Sequence, residues 1–334
     1  MGQIDILSVG DIVTDAFIKL LDDQARVVND DHSNKWLAMP FATKLPFDHV
    51  EEAVAVGNAS NAAVAFARLG LHTGFVTNVG GDQAGRDMIA SLDKDDIDTQ
   101  FVRINPRKKS NYHYVLWYKD ERTILIKHED YNYHWPHLRK GEVPRWIYFS
   151  SISDHAIDYH DQVVEWLDEN PTVRMAFQPG TYQMKAGTKR LKEIYKRTEV
   201  LILNREEAAF VSDGSREDIP DLFTRLHTLG AKIVIITDGP EGAYASDGIT
   251  RYSMPLYPDP APPLERTGAG DAFASTLVAA IVKGLSLEEA LTWAPINSMS
   301  VVQHVGAQAG LLKEKQLLEW LHHAPAAYHP TRVQ

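Results

Sequence analysis

The residues of this chain best suited to chemistry are Thr267-Gly268-Ala269-Gly270-Asp271, a glycine turn running straight into an apolar helix. Gly268 and Gly270 let the backbone approach a ligand closely, and the free amides of a helix N-terminus attract anions. Asp271 then has two readings. In one it complements the helix dipole. In the other it is a general base beside an anion-binding turn, where a hydroxyl that accepts a phosphoryl group has to sit. Asn204-Arg205-Glu206-Glu207 follows the strand-like run 200–203 and is equally double-edged. Asn204 and Glu207 can close a capping box around a helix start. At the carboxyl edge of a sheet the same pair suits a hydrated Mg²⁺. The loop Thr237-Asp238-Gly239-Pro240-Glu241-Gly242-Ala243 offers further backbone amides at that edge.

Other motifs fail on their own terms. A dinucleotide fingerprint needs glycine where Phe273 stands, and the Gly-Lys-Ser/Thr ending of a Walker loop is missing from the chain. His128-Glu129 opens like a zinc-protease helix, but Asn132 replaces the second histidine. His134-Trp135-Pro136-His137 is broken by proline and reads as loop; His322-His323 reads as a solvated helix face. With zero cysteines there is no thiolate nucleophile and no Cys-ligated zinc. Asp11 and Asp82 read as turn-fixing residues. Arg103, Arg107, Lys108 and Lys109 read as a solvated run rather than a site for a substrate phosphate.

Apolar patterning indicates what holds these residues in place. Runs at 4–9, 74–79, 146–149, 173–177, 200–203 and 232–237 read as buried strands, alternating with helical patterns such as 58–69 and 83–92. That alternation predicts an α/β fold with a mostly parallel sheet and helices on both faces. The last third is helical, over 269–283, 287–304 and 313–322. Residues 15–50, punctuated by Pro40 and Pro46, read as an excursion from the core. Residues 111–118 and 122–127 alternate like a two-stranded ribbon with Lys119-Asp120-Glu121 at its turn. The proline-rich run 255–263 reads as a rigid approach to a site rather than a linker.

Composition narrows the class. Of 334 residues 44% are apolar, which excludes wholesale disorder and fibrous architectures. A net charge of −11 fits poorly with wrapping a nucleic acid. The longest apolar stretch, near 272–282, falls short of the roughly 18 residues a membrane span needs. The Met1-Gly2-Gln3-Ile4-Asp5 start has no basic region, and Ile6 stands where myristoylation wants Ser or Thr. The expectation is a soluble cytoplasmic protein with no nucleic-acid or membrane partner.

Gly57-Asn58-Ala59-Ser60-Asn61, Val79-Gly80-Gly81-Asp82-Gln83-Ala84-Gly85, the Asn204/Glu207 pair, Gly268-Ala269-Gly270-Asp271 and Gly306-Ala307 follow one another in a fixed order. In that order they resemble the ribokinase-like (PfkB) family of sugar and nucleoside kinases, over residues 4–310. The resemblance implies a three-layer α/β/α core with a mostly parallel central sheet, built from 1–14, 50–106 and 128–334. It also implies a small β-sheet lid, from 15–49 and 107–127, that closes over the sugar and often clasps a homodimer. The implied activity is ATP-dependent phosphorylation of a sugar hydroxyl, with Mg²⁺. The alternatives are a nucleoside acceptor, or a sensor that binds sugar or nucleotide without turnover.

By matching position, the resemblance makes Asp271 the base and the amides of Gly268, Ala269 and Gly270 an anion hole. Asp15, Gly57, Asn58 and Asn61 become substrate ligands. Asn204 and Glu207 organise the phosphates and Mg²⁺, Glu207 through water. Thr237, Gly239, Gly242 and Asn297 line the nucleotide site. There are departures. The family's Asp-Thr ahead of the glycine turn, whose Asp helps bind a monovalent cation, is Glu265-Arg266 here, and Gly310 stands where a polar residue often sits. Glu265 is therefore the candidate ligand for K⁺, and Arg266 the candidate fixed charge that substitutes in part for that ion. The usual double glycine before the substrate helix is Val56-Gly57, which narrows the pocket.

Overall fold

Ile6–Val9, Thr73–Gly80 and Trp146–Phe149 are buried along their whole length, a state open only to strands covered on both faces. They lie side by side in a ten-stranded sheet in the computed structural model, which describes residues 3–30, 34–119 and 121–333. The Met1-Gly2 start and Asp120 of the ribbon turn lie outside the described residues. Across the sheet the order is Thr331–Val333, Arg251–Met254, Ala243–Ser246, Ile233–Thr237, Val200–Asn204, Arg174–Phe177, Trp146–Phe149, Ile6–Val9, Thr73–Gly80 and Val102–Asn105. From Ile233–Thr237 to Val102–Asn105 every pairing is parallel; the other three strands are added antiparallel. This is the mostly parallel α/β sheet that the patterning predicts.

Helices cover both faces. On one lie Asn58–Arg68, Ala269–Val282 and Leu287–Val302; on the other Tyr159–Glu169, Lys192–Arg197 and Ile219–Thr228. Ala269–Val282 is apolar on nearly every side, so it can be stable only inside the protein. It packs between Leu287–Val302 and the alanine-rich Asn58–Arg68, whose small side chains permit close approach. That approach brings the start of one helix to the start of the other. Parallel strands carry their carboxyl ends to the same edge, where Asp11, Gln178, Asn204 and Thr237 gather.

A second sheet of four strands, Phe47–Val56, Val13–Leu20, Tyr112–Tyr118 and Glu121–Leu125, stands apart from the first. It contains the ribbon that alternation predicts. The excursion resolves into Val13–Leu20, a hairpin Arg26–Asn29/Lys35–Ala38, and Phe47–Val56. Phe47–Val56 belongs whole to this second sheet, including 50–56, which the sequence reading places in the core. Its alternation is hidden because its first six residues, Glu51 and Glu52 among them, are exposed.

Candidate active site

Gly57 and Gly268 shape the two turns that meet at the site. Gly57 ends the lid strand at φ +114 and starts the helix that carries Asn58 and Asn61. Gly268 starts the helix that carries Asp271 at φ +80, a left-handed conformation that disfavours a side chain. A Cβ on Gly268 would lie 2.4 Å from that of Ala307, so the turn is also closed sterically. The amide of Ala272 bonds the carbonyl of Gly268; the amides of Gly270 and Asp271 lie ahead of any helical acceptor.

Asp271 is 8% exposed and is held from three sides. Asn58 Nδ2 donates to Oδ1 at 2.7 Å, Asn61 Nδ2 to Oδ2 at 2.8 Å, and Gln178 Nε2 to Oδ1 at 3.4 Å. Burial pushes its pKa above the ordinary aspartate value, and the three amides offset this only in part. The carboxylate borders a cavity of about 600 Å³, whose wall also holds Asp15, Gly57, Asn58, Asn61, Gly268 and Gly270. Asn204, Glu207 and Thr237 border the same space.

A second cavity, of about 220 Å³, shares Thr237 and Gly270 with the first and adds Gly239, Gly242 and Ala269. Its far side is apolar, with Leu256, Tyr257, Phe273 and Met299. The proline-rich run supplies part of the wall through Leu256 and Pro263. The helix N-terminus therefore stands between two cavities, one lined by carboxylates and side-chain amides and one largely apolar.

Asn204 and Glu207 make the capping box. Asn204 Oδ1 accepts the Glu207 amide at 2.8 Å, and Glu207 Oε2 accepts the Asn204 amide at 2.9 Å. Both still face the cavity, and burial raises the Glu207 pKa, with Asp271 and Glu206 adding to it. The bond to one carboxylate oxygen leaves the other for a hydrated cation. Among the described residues no cluster of His, Cys, Asp and Glu forms a metal cage.

Three expectations need correction. Asn297 does not line either cavity. It is 0% exposed, donates from Nδ2 to Thr276 Oγ1 at 2.8 Å and accepts the Leu312 amide at 2.9 Å, because Leu287–Val302 is buried nearly all round. Ser298 and Met299, its neighbours, reach the second cavity instead. Glu265 does not hold a free carboxylate: Oε1 accepts the Gly306 amide and Oε2 is ion-paired with Arg122. Arg266 is exposed and faces the second cavity, so the fixed charge beside Glu265 is that of Arg122.

Asp82 caps Gln83–Lys94 and binds Ser110, a turn-fixing role as read. Arg103, Arg107, Lys108 and Lys109 are exposed, and none borders the site. Asp11, by contrast, belongs to the site. Its carboxylate accepts the Tyr133 hydroxyl and the Ser153 amide, each at 2.8 Å, and lies 3.2 Å from His128 Nδ1. His113, in register with Asp15, lies 3.2 Å from it. Gln178, His113, His128 and Tyr182 had no signal of spacing in the sequence. Only Gln178, directly after a buried strand, stood where the carboxyl-edge rule could have found it.

A model of the pfkB family carbohydrate kinases matches residues 49–314. A cytidine kinase of Thermococcus kodakarensis is 30% identical over 253 residues, covering 70% of this chain and 81% of that protein. The structure of a Methanocaldococcus jannaschii nucleoside kinase superposes with a TM-score of 0.77 at 18% identity, over 97% of this chain and 99% of that one. Arabidopsis thaliana ribokinase complexed with ribose and ATP gives 0.77 at 20%, over 96% and 99%. The chain belongs to the pfkB family of carbohydrate kinases, phosphotransferases that act on an alcohol group.

Proposed function

We propose that the chain transfers the γ-phosphoryl group of ATP to a hydroxyl of a sugar bound in the larger cavity. The observation that carries this reading is the placement of Asp271: a buried carboxylate of raised basicity on a helix N-terminus that divides two pockets. Asp271 takes the hydroxyl proton as the sugar oxygen bonds to phosphorus and the bond to the leaving oxygen of ADP breaks. The amides of Gly268, Ala269 and Gly270 stabilise the charge on the transferring group. Asp15 and Asp11 hold acceptor hydroxyls, with Gly57 allowing close approach and Asn58 and Asn61 orienting the base. Thr237, Gly239 and Gly242 hold the nucleotide against the apolar slot. Asn204 and Glu207 suit a hydrated Mg²⁺ that arrives with ATP, which when bound neutralises phosphate charge.

The four-stranded sheet acts as the lid of this site. We assign its exposed apolar residues, Phe47 at 52% and Val50 at 45% among them, to a contact with a second copy of the chain. A nucleoside acceptor is the second reading. It is favoured by the rings of His113, His128 and Tyr182, which meet edge to face with centres 5.3 and 5.8 Å apart and border a cavity roomier than a monosaccharide needs. A screen for ADP release over pentoses, hexoses, their monophosphates and nucleosides tests both. Turnover with sugars supports the first reading and turnover with nucleosides alone the second. Binding of ATP without ADP release from any acceptor makes the chain a sensor.

A further inference from the structure

Asp271 is held by neutral amides, whereas the buried carboxylate of Glu265, 4% exposed, has a cation beside it, Arg122. Arg122 does not come from the core. It stands on the lid strand Glu121–Leu125, opposite Trp117, with its guanidinium 5.4 Å from the ring centre of Phe17 and 5.9 Å from that of Trp117. It pairs with Glu265 Oε2 through one terminal nitrogen and donates to Thr267 Oγ1 through the other. One lid side chain thus grips the residues on either side of Arg266, directly ahead of the Gly268 turn.

We propose, on the kinase reading above, that Arg122 is a lid-borne positioning residue that takes the place of a monovalent cation and makes the anion hole depend on lid closure. Charge is the first ground. With the Arg122 guanidinium on one oxygen and the Gly306 amide on the other, the charge of Glu265 is already neutralised by a fixed cation standing where K⁺ would sit, so the residues present do not fit that ion. Packing is the second. Glu265 holds Gly306, and Ala307 presses on Gly268 so closely that a Cβ there would meet it at 2.4 Å; a shift at Glu265 is passed to the turn. The third is the ribbon itself. Ile124 and Ile126, next to Arg122 in the chain, border the acceptor cavity, so an acceptor that packs on them fixes the strand that carries the guanidinium. A guanidinium stays charged near neutral pH, and its fork reaches Glu265 and Thr267 together, as an ammonium does not. The anion hole is then complete only over a bound acceptor, which protects ATP from water.

The test compares ADP release in equimolar chloride salts of K⁺ and tetramethylammonium. Wild type is expected to run equally in both. Arg122→Ala is expected to lose about 10²-fold in kcat with little change in KM for ATP. It should recover in part in K⁺ alone, because truncation uncovers Glu265. Arg122→Lys should keep part of the rate in both salts. The double variant Arg122→Ala/Glu265→Gln, which leaves no buried charge unpaired, should fold readily and show no K⁺ response. Strong K⁺ activation of wild type, or an unchanged kcat in Arg122→Ala, overturns the proposal. If no acceptor gives turnover, the kinase reading fails separately, and thermal unfolding in the two salts reads the pairing. K⁺ should then raise the Tm of Arg122→Ala and not of wild type; an equal response overturns the proposal.

Discussion

Asn61 and Asp271 come from different helices, yet Asn61 Nδ2 lies 2.8 Å from Asp271 Oδ2. The opposite end of the same amide, Oδ1, accepts Gln308 Nε2 at 3.0 Å, so Asn61 cannot flip without losing both bonds. Asn61→Asp keeps the shape and the bond to Gln308 but replaces a donor by a second carboxylate. Two carboxylates this close titrate as a pair, one of them pushed up further. The acid limb of the kcat–pH profile is expected to move to higher pH, with rate regained on raising the pH. An unmoved limb would show that Asn61 contributes packing alone.

Asp271 itself is tested by Asp271→Asn, which preserves size and removes proton acceptance. General-base contributions run at about 10²–10⁴-fold, so kcat should fall by at least the lower figure while ATP affinity by titration calorimetry stays level. Because burial raises the pKa of Asp271, the wild-type rate should fall on acidification at a pH above the ordinary aspartate range. The base works only ionised, so the loss runs towards low pH. Near-normal turnover in the variant reduces Asp271 to a partner of the helix dipole.

Asn297 ties Ala269–Val282 to the segment after Leu287–Val302, through Thr276 and the Leu312 amide. Asn297→Ala leaves both partners buried without a bond, at about 1–3 kcal/mol for each orphaned group. Chemical unfolding should show a loss of that order, with ATP affinity of the folded variant unchanged. A selective loss of nucleotide binding would return Asn297 to the nucleotide wall.

What could be read from the sequence follows the range of the interactions. Buried parallel strands are uniformly apolar, so Trp146–Phe149 and its neighbours stand out without any tertiary information. Asn58 and Asn61, three apart on a helix, share one face, but what that face meets lies in another helix. Their bonds to Asp271 are therefore invisible locally. Arg122 sits in an alternating ribbon and looks like any solvated arginine until the lid folds onto Glu265. Asn297 was placed by resemblance, which carries position along the chain but not the direction of a side chain in a buried helix.

His160 offers a test of stability rather than catalysis. It is 2% exposed, packs tilted against Phe149 with ring centres 4.9 Å apart, and its Nε2 meets Gln183 Nε2 at 3.1 Å. An amide nitrogen can only donate, so that ring nitrogen is the acceptor and Nδ1 carries the proton toward the Ala156 carbonyl at 3.1 Å. The ring is thus neutral, and burial depresses its pKa from 6.5 to about 4. Between those values the unfolded chain binds a proton that the native protein refuses. Stability is therefore full above pH 6.5 and declines as pH falls towards 4, by about 1.4 kcal/mol per unit from this group. His160→Gln keeps an acceptor for Gln183 and never titrates. Denaturant unfolding at pH 7.5 and 5.0 should show a smaller pH difference for the variant than for wild type, even if the variant is weaker at both. Equal differences would mean that another group carries the acid sensitivity.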